Sequence, residues 1–220
     1  MTFMVDAAKY YKELPHQMAA WEQLESATSP EVLEAFMEAY RASPEPVTDN
    51  PLEVKYFYQN DNLSGTGYRE CYSSSCAMLA SYYGKVNSDD AYNVVRNKYG
   101  DTTDTAAQLA ALRSLGLTPA FHADGDVADL KAEIDAGRPV AVGWLHKGSI
   151  ESPSGGGHWS VVVGYTDDSF IIHDPNGEAN LVGGGYTPNT DGAYLKYSYK
   201  NWVPRWEVVG GDGWYLTCWP

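Results

Sequence analysis

The hydrophobic pattern of the chain changes near residue 139, and this change limits the fold classes that it can adopt. Before that point, apolar residues recur at helical spacing over 88–98, 101–117 and 126–139. After it, β-branched and aromatic runs alternate with Gly, Asp, Asn and Ser clusters, as in antiparallel strands joined by tight turns. These runs are PVAVGWLH, HWSVVVGY, SFIIHDP, YLKYSY and GWYLTCWP. Helices first and antiparallel strands second indicate an α+β fold.

The N-terminal part of the chain is expected to form a separate helical segment. Ser29 is placed to cap a helix, with Pro30 at its first position. The stretch SPEPVTDNP at 43–51 has three prolines and no periodicity, which is typical of a linker. We therefore predict a docking or accessory module over 1–46 and a main domain over 52–220.

Charge and composition exclude several classes of function. The net charge of −14 argues against nucleic-acid binding and against an anionic membrane surface, since both need clustered Lys and Arg. No apolar run reaches the roughly 20 residues of a membrane span. Asp6 interrupts the N-terminus, so we predict no signal peptide and synthesis in the cytoplasm. Three cysteines are too few, and odd in number, for a disulfide framework.

Two cysteines occur at the start of a predicted helix, in RECYSSSCAMLASYYGK at 69–85. The second lies on a buried stripe at i, i+3, i+4 and i+7, formed by Cys76, Leu79, Ala80 and Tyr83. Cys76 is therefore predicted to be a core residue. Cys71 precedes the stripe, beside three serines, any of which could cap the helix. The helix dipole and the unpaired amides there favour a thiolate. Cys71 is the candidate nucleophile, and a structural thiol is the alternative.

A nucleophilic cysteine needs a base and a group that orients the base. Of five histidines, His158 is favoured because it follows three glycines and opens a strong strand, and Asp174 ends the next strand. A symmetric hairpin closed at 166–169 would place Asp174 opposite Val161, so facing His158 requires a bulge or a shifted register. His173 is the rival base, although it points to the other sheet face. The alternative is that these polar residues only end strands.

Further residues are candidates for the oxyanion site and the cleft. Gln59, in YFYQNDN, lies upstream of Cys71 across a glycine-containing loop, and its amide can hold a developing oxyanion. Residues near this site in the chain pattern are expected to line the cleft, with strand packing as the alternative: Trp144, His146, Gly157 and Trp159. A calcium loop starting at Asn60 is disfavoured because its twelfth position lacks a glutamate. The C-terminal aromatic run predicts either a saccharide platform or sheet core.

Four motifs together resemble the double-glycine leader peptidase superfamily, which is a branch of the papain-like cysteine peptidases and family thirty-nine of the peptidase classification. The motifs are YFYQNDN, CYSSSCAMLASYYG, GGGHWSVVVGY and IIHDPNG, and the likeness covers roughly residues 54–176. The resemblance implies a papain-like fold with Cys71 as nucleophile, His158 as general base, Asp174 as its orienting group and Gln59 as oxyanion donor. Tyr72 and Ser73 depart from the family's common Gly-Pro. We expect no attached transporter.

The likeness is strongest to the stand-alone branch found in cyanobacteria, bacteriophages and cell-wall-active proteins. It implies cleavage of peptidoglycan stem peptides by an endolysin-type enzyme that acts on the wall after release. The proposed chemistry needs no metal or organic cofactor, and the sequence leaves the oligomeric state open, with a monomer slightly favoured. A protein or leader-peptide protease with the same residues is the first alternative. A non-enzymatic binding protein on a degenerate peptidase fold is the second.

Overall fold

The computed structural model describes residues 50–220. The helices predicted within 1–46, and all but the last two residues of the 43–51 linker, lie outside this range. The described helices are α1 (Cys71–Tyr82), α2 (Asp89–Arg96), α3 (Thr105–Ser114), α4 (Val127–Asp135) and α5 (Tyr199–Trp206). The described strands are β1 (Thr118–Gly125), β2 (Val140–Trp144), β3 (His158–Tyr165), β4 (Ser169–His173), β5 (Leu195–Ser198) and β6 (Gly213–Trp219).

The six strands form one sheet in the order β1-β6-β2-β3-β4-β5, and each neighbouring pair is antiparallel. Helix α1 packs against β2 and β3, and it also contacts α2 and α3. Helix α4 packs on β2 and β3, and α5 packs on β2 and β5. The predicted α+β class is confirmed. Within residues 50–220, no helix combines the length and the apolar character that crossing a bilayer requires.

Local signals account for several ends of the middle helices, which lie within the ranges predicted over 88–98, 101–117 and 126–139. Ser88 caps α2 by accepting a hydrogen bond from the Ala91 amide, and Asp126 begins α4 within a reciprocal capping box. Helix α3 is followed by Gly116, whose φ of +79° lies in the left-handed region that favours glycine. Short-range chemistry therefore accounts for these boundaries.

Two elements were not predicted from the sequence. The segment PAFHADG forms most of β1, which pairs with β6 from the far end of the chain. Part of the aromatic C-terminal run forms α5, although Pro204 lies inside this helix and would ordinarily argue against it. Trp202 and Trp206 of α5 are buried, so tertiary packing outweighs the local preference. Residues 52–58 form no sheet strand and lead into a short 3₁₀ turn, Gln59–Asp61.

Helix α1 is more deeply buried than its stripe predicted. Cys76, Leu79 and Ala80 are buried as expected, but Ser73, Ser74 and Ser75 lie inside the helix and are buried too. The prediction that one of these serines caps the helix is wrong. Ser73 shares a 2.7 Å hydrogen bond with Thr102, and Ser74 donates to Asp89 at 2.8 Å. A polar layer therefore satisfies two of the serine hydroxyls.

A bulge in β3 sets the register of the hairpin that carries His158 and Asp174. Val162 pairs with Ile172, but Gly164 pairs with Ile171, so Val163 is an extra residue. The Val163 carbonyl instead accepts a 2.7 Å hydrogen bond from the Leu52 amide. A side chain at Gly164 would overlap Asn50 and Pro51. The start of the described chain therefore packs against the bulge and stabilises the shifted register.

Candidate active site

Three side chains that are distant in sequence meet at one end of the sheet. Cys71 is the first residue of α1, His158 is the first residue of β3, and Asp174 directly follows β4. Because of the bulge, the register continues with Asp174 opposite Ser160, which shares a sheet face with His158. His158 Nε2 and Asp174 Oδ1 are 2.7 Å apart, and both residues are buried. The bulge thus supplies the register shift that the symmetric hairpin lacked.

The surroundings of His158 favour its charged form. Burial, the largest influence, lowers the pKa of His158, but the charge and hydrogen bond of Asp174, with smaller contributions from Cys71, raise it to about 10. The Cys71 side chain is among the groups close enough to His158 to raise this pKa. Since Nε2 binds Asp174, the nitrogen left for Cys71 is Nδ1. At neutral pH His158 is therefore an imidazolium between a carboxylate and a thiol.

Asp174 is fixed by several hydrogen bonds. Its Oδ2 accepts one from the Tyr197 hydroxyl at 3.1 Å, and its Oδ1 accepts one from the Asn176 amide at 3.0 Å. Its backbone N–H donates to the Gly192 carbonyl at 2.9 Å, and its carbonyl accepts from the Tyr56 hydroxyl at 3.0 Å. A buried carboxylate with this many donors keeps one orientation toward His158.

Alanine at Gly192 is expected to displace Asp174. The added methyl group would overlap the Asp174 carbonyl oxygen and crowd the Tyr56 hydroxyl. We expect turnover to fall about 10- to 100-fold, because small misplacements at a catalytic group have effects of that size. The free energy of unfolding should fall by about 1–3 kcal/mol. Gly156→Ala, where a Cβ meets no described atom within 4 Å, is the stability control. Equal kinetics and urea-unfolding curves for Gly192→Ala and wild type would contradict this placement.

The first turn of α1 leaves its amides available around Cys71. The residue before it, Glu70, makes no side-chain capping bond to this turn within residues 50–220. Unpaired amides and the helix dipole stabilise negative charge at this position. Burial raises the pKa of the Cys76 thiol well above its ordinary value and that of Cys218 to about 12. Both of these thiols are buried and stay protonated, whereas Cys71 is partly exposed.

Gln59 lies against the segment that carries Asp174. Its backbone N–H donates to the Pro175 carbonyl at 2.8 Å, and its side-chain Nε2 donates to the Gly67 carbonyl at 2.8 Å. An amide nitrogen carries two hydrogens, so one donor remains after the Gly67 bond. Its Oε1 is buried and has no partner among the described residues. The Gln59 side chain is thus held by one hydrogen bond, and its second amide N–H is available as a donor.

Comparison with known proteins identifies the family of this chain. The sequence profile described as the Peptidase_C39 like family matches residues 51–207, which is more than half of the chain. The chain belongs to this family of cysteine peptidases. No curated protein sequence is similar enough to this peptidase to match it.

Solved structures share the fold of this peptidase at low sequence identity. A double glycine motif protease from an AMS/PCAT transporter, in complex with the leader peptide, has a TM-score of 0.52 and 21% identity, covering 80% of this chain and 97% of its own. The peptidase domain of Streptococcus ComA, a bi-functional ABC transporter involved in quorum sensing, has a TM-score of 0.52 and 20% identity. The match covers 76% of this chain and 99% of that domain. A putative C39-like peptidase from Bacillus anthracis has a TM-score of 0.53 and 16% identity. The match covers 77% of this chain and 97% of that peptidase. The predicted papain-like fold of this superfamily is confirmed.

The four predicted cleft residues all lie near His158. Trp144 and Trp159 are buried, and the Trp144 ring meets the His158 ring edge-on at 5.4 Å. Trp159 stacks on Tyr72 with ring centroids 3.7 Å apart. Gly157 immediately precedes His158 with a φ of +86°. Burial lowers the pKa of His146 to about 4, helped by the nearby His158 charge, so His146 is neutral and is no rival base at pH 7.

The rival histidine is committed elsewhere. His173 contacts the Val54 carbonyl through Nε2 at 2.9 Å and accepts the Tyr194 amide at Nδ1 at 3.0 Å. Burial lowers the pKa of His173 to about 4. His122 lies against Tyr215 in the β1–β6 pair. Both ring nitrogens of His173 therefore have structural partners, and among the histidines of residues 50–220, His158 is left as the one beside Cys71.

Several residues around the site were not predicted from the sequence. Tyr197 holds Asp174, and the ring of Tyr186 packs edge-on at 5.6 Å from that of His158. A cavity of about 480 Å³, here called the indole pocket, has Cys71, Trp159, Trp206, Asp212 and Trp214 among its lining residues. The aromatic richness of the C-terminus was the available signal. It was interpreted as a saccharide platform or sheet core, and the connection to Cys71 depends on the packing of α5 and β6.

Proposed function

We propose that this cysteine peptidase hydrolyses amide bonds with Cys71 as nucleophile, His158 as acid and base, and Asp174 as the group that orients His158. The observation that carries the proposal is the 2.7 Å His158–Asp174 pair, with Cys71 among the groups that raise the pKa of His158. A buried carboxylate favours the imidazolium, and the imidazolium favours the thiolate.

The chemical steps follow from this arrangement. The Cys71 thiolate adds to the carbonyl carbon, and the oxyanion is held by the Cys71 N–H and the spare Gln59 donor. His158 gives its proton to the leaving amine as the C–N bond breaks, which leaves a thioester. His158 then takes a proton from water, which attacks the thioester and releases the carboxylic acid product and the thiolate. Asp174 keeps Nδ1 of the imidazole aimed at the sulfur throughout.

Gln59→Ala is expected to lower the turnover number about 100-fold with little change in KM, because an oxyanion donor acts mainly in the transition state. Steady-state kinetics on a fluorogenic peptide checks this. Asn60→Ala is the matched control, since Asn60 is the exposed neighbour and, within residues 50–220, its side-chain amide donates only to the Asn176 side chain. A Gln59→Ala protein that keeps its turnover number would remove Gln59 from the oxyanion site.

For the substrate, we propose peptidoglycan stem peptides, cleaved by an endolysin-type hydrolase. The support is the resemblance to the stand-alone branch, together with the indole pocket, whose volume of about 480 Å³ suits a large side chain. A pair of glycines offers no side chain to fill such a pocket. Leader-peptide cleavage is the second candidate, favoured by the similar protease that was solved with a leader peptide.

Three substrates separate these candidates. Purified sacculi, casein and a peptide with a double-glycine site should be incubated with wild-type protein and with Cys71→Ala. Release of free amines from sacculi alone, lost in Cys71→Ala, supports the wall substrate. Cleavage confined to the peptide after its double glycine would replace it with leader processing, and cleavage of casein alone would indicate a general protease. Mass spectrometry of the wall fragments identifies the scissile bond.

A further inference from the structure

The indole pocket lies on one side of the proposed nucleophile. Cys71 lines it, but His158 does not. The leaving amine must lie against His158 to receive its proton, where the His146 and Tyr186 rings are each 5.6 Å from the His158 ring. Trp144, Gly157 and Trp159, which lie beside His158, also line the pocket. Because Cys71 itself lines it and His158 does not, the pocket is assigned to the acyl part of the substrate, whose carbonyl bonds to sulfur.

The pocket combines an aromatic interior with one available charge. Four tryptophans contribute to its lining, together with Val208 and two threonines. Its ionisable groups in the described chain, besides the Cys71 and Tyr72 side chains, are Arg205 and Asp212. Arg205 is 1% exposed. Its guanidinium donates to four backbone carbonyls, those of Leu145, Lys147, Gly148 and Leu181. The guanidinium is thus committed to the fold.

Asp212 is placed to meet a ligand. It is partly exposed, and it accepts one hydrogen bond from the described residues, from the Val209 amide at 3.1 Å. Asp212 directly precedes β6, Trp214 is the second residue of β6, and both line the indole pocket. Trp214 is 52% exposed, which is unusual for so large an apolar side chain. A carboxylate beside an open indole face is the arrangement that attracts an organic cation.

We propose that the indole pocket binds a substrate side chain with an apolar stem and a cationic end, and that Asp212 is the specificity-determining residue. The stem would pack on the tryptophans, and the ammonium or guanidinium would lie between Asp212 and Trp214. Lysine and arginine have this chemistry, and so does the free amine of a diamino acid in a stem peptide. The inference rests on the proposed role of Cys71, because the pocket is assigned by its position beside that sulfur.

The test is a set of fluorogenic peptides that differ only at the residue on the acyl side of the scissile bond, carrying lysine, arginine, norleucine or glutamate. Wild type should cleave the lysine and arginine peptides with kcat/KM about three- to tenfold above norleucine. In Asp212→Asn the ratio of lysine to norleucine should fall to near one. Asp167→Asn, which removes the same charge in the β3–β4 turn about 23 Å along the strand from His158, should keep the ratio.

A binding measurement separates failure of the pocket from failure of the proposed nucleophile. Tryptophan fluorescence of Cys71→Ala protein, titrated with the lysine and norleucine peptides, should show tighter binding of lysine, and the added Asp212→Asn change should abolish the difference. If the lysine peptide binds selectively but wild type does not cleave it, the pocket assignment stands and the proposed Cys71–His158–Asp174 triad is overturned. The pocket assignment would be overturned if wild type preferred the norleucine or glutamate peptide. It would also be overturned if the preference for lysine survived in Asp212→Asn. Sacculi digestion by Asp212→Asn then tells whether the stem-peptide amine is the natural occupant.

Discussion

Cys71→Ala is expected to reduce peptide hydrolysis by at least about 10⁴-fold, because loss of the nucleophile leaves only binding and oxyanion stabilisation. Cys71 is the partly exposed thiol at the start of α1, and its side chain contributes to the raised pKa of His158. Initial rates on a fluorogenic peptide, measured with excess enzyme, give the size of the loss. Circular dichroism should show an unchanged fold, since the side chain is small and lies at the helix end.

Cys76→Ala is the matched control, five residues along the same helix. Cys76 is fully buried, and its raised thiol pKa keeps it protonated. This variant should keep its turnover number and lose about 1 kcal/mol of unfolding free energy, because it opens a small cavity. Equal loss of activity in both cysteine variants would contradict the division of roles within α1.

Asp174→Asn is expected to lower the turnover number about 10³- to 10⁴-fold, as a neutral amide neither favours the imidazolium nor fixes its tautomer. The pH profile provides a second measurement. In wild type the pKa of His158 is about 10, so activity that requires the imidazolium should decline as the pH rises through about 10. Without the Asp174 charge this pKa falls, and the alkaline limb should move to lower pH. If the alkaline limb of the pH profile stays in place in Asp174→Asn, a group other than His158 controls that limb.

The same pair predicts how stability depends on pH. The folded pKa of His158 is raised from 6.5 to about 10, so its protonated form stabilises the native state. This contribution is fully present below about pH 6.5 and is lost progressively as the pH rises toward about 10. Urea unfolding at pH 6, 8 and 10 should therefore show a steeper loss in wild type than in Asp174→Asn. Asp167→Asn, with an exposed carboxylate, should follow wild type.

The local part of the fold was accessible from the sequence. Ser88 and Asp126 start helices by capping backbone amides, and Gly116 ends one with a positive φ. These interactions span only a few residues, so a pattern in the sequence is sufficient to find them. The assignment of Cys71 as candidate nucleophile and Cys76 as core residue also used only short-range information. Helical spacing places Cys76 on the buried stripe of α1 and leaves Cys71 ahead of that stripe.

The missed elements depend on distant partners. Strand β1 has mixed burial and pairs with β6 almost 100 residues later, and α5 forms around Pro204 because Trp202 and Trp206 are buried. The polar layer on α1 gave a misleading local signal, since serines near a helix start ordinarily cap it. Here Ser73 and Ser74 find partners in neighbouring segments, so packing outweighed the local preference.

By itself, the sequence determined the α+β class, the candidate residues Cys71, His158, Asp174 and Gln59, and the resemblance that led to the family. Only the tertiary structure decided how those residues meet. The extra residue Val163, held by the Leu52 amide, moves Asp174 onto the sheet face of His158. A one-residue shift reverses the face of every following side chain, and the contact that fixes it lies more than 100 residues away in the chain. The same reason applies to the indole pocket, where α5 and β6 bring Asp212 and Trp214 to Cys71.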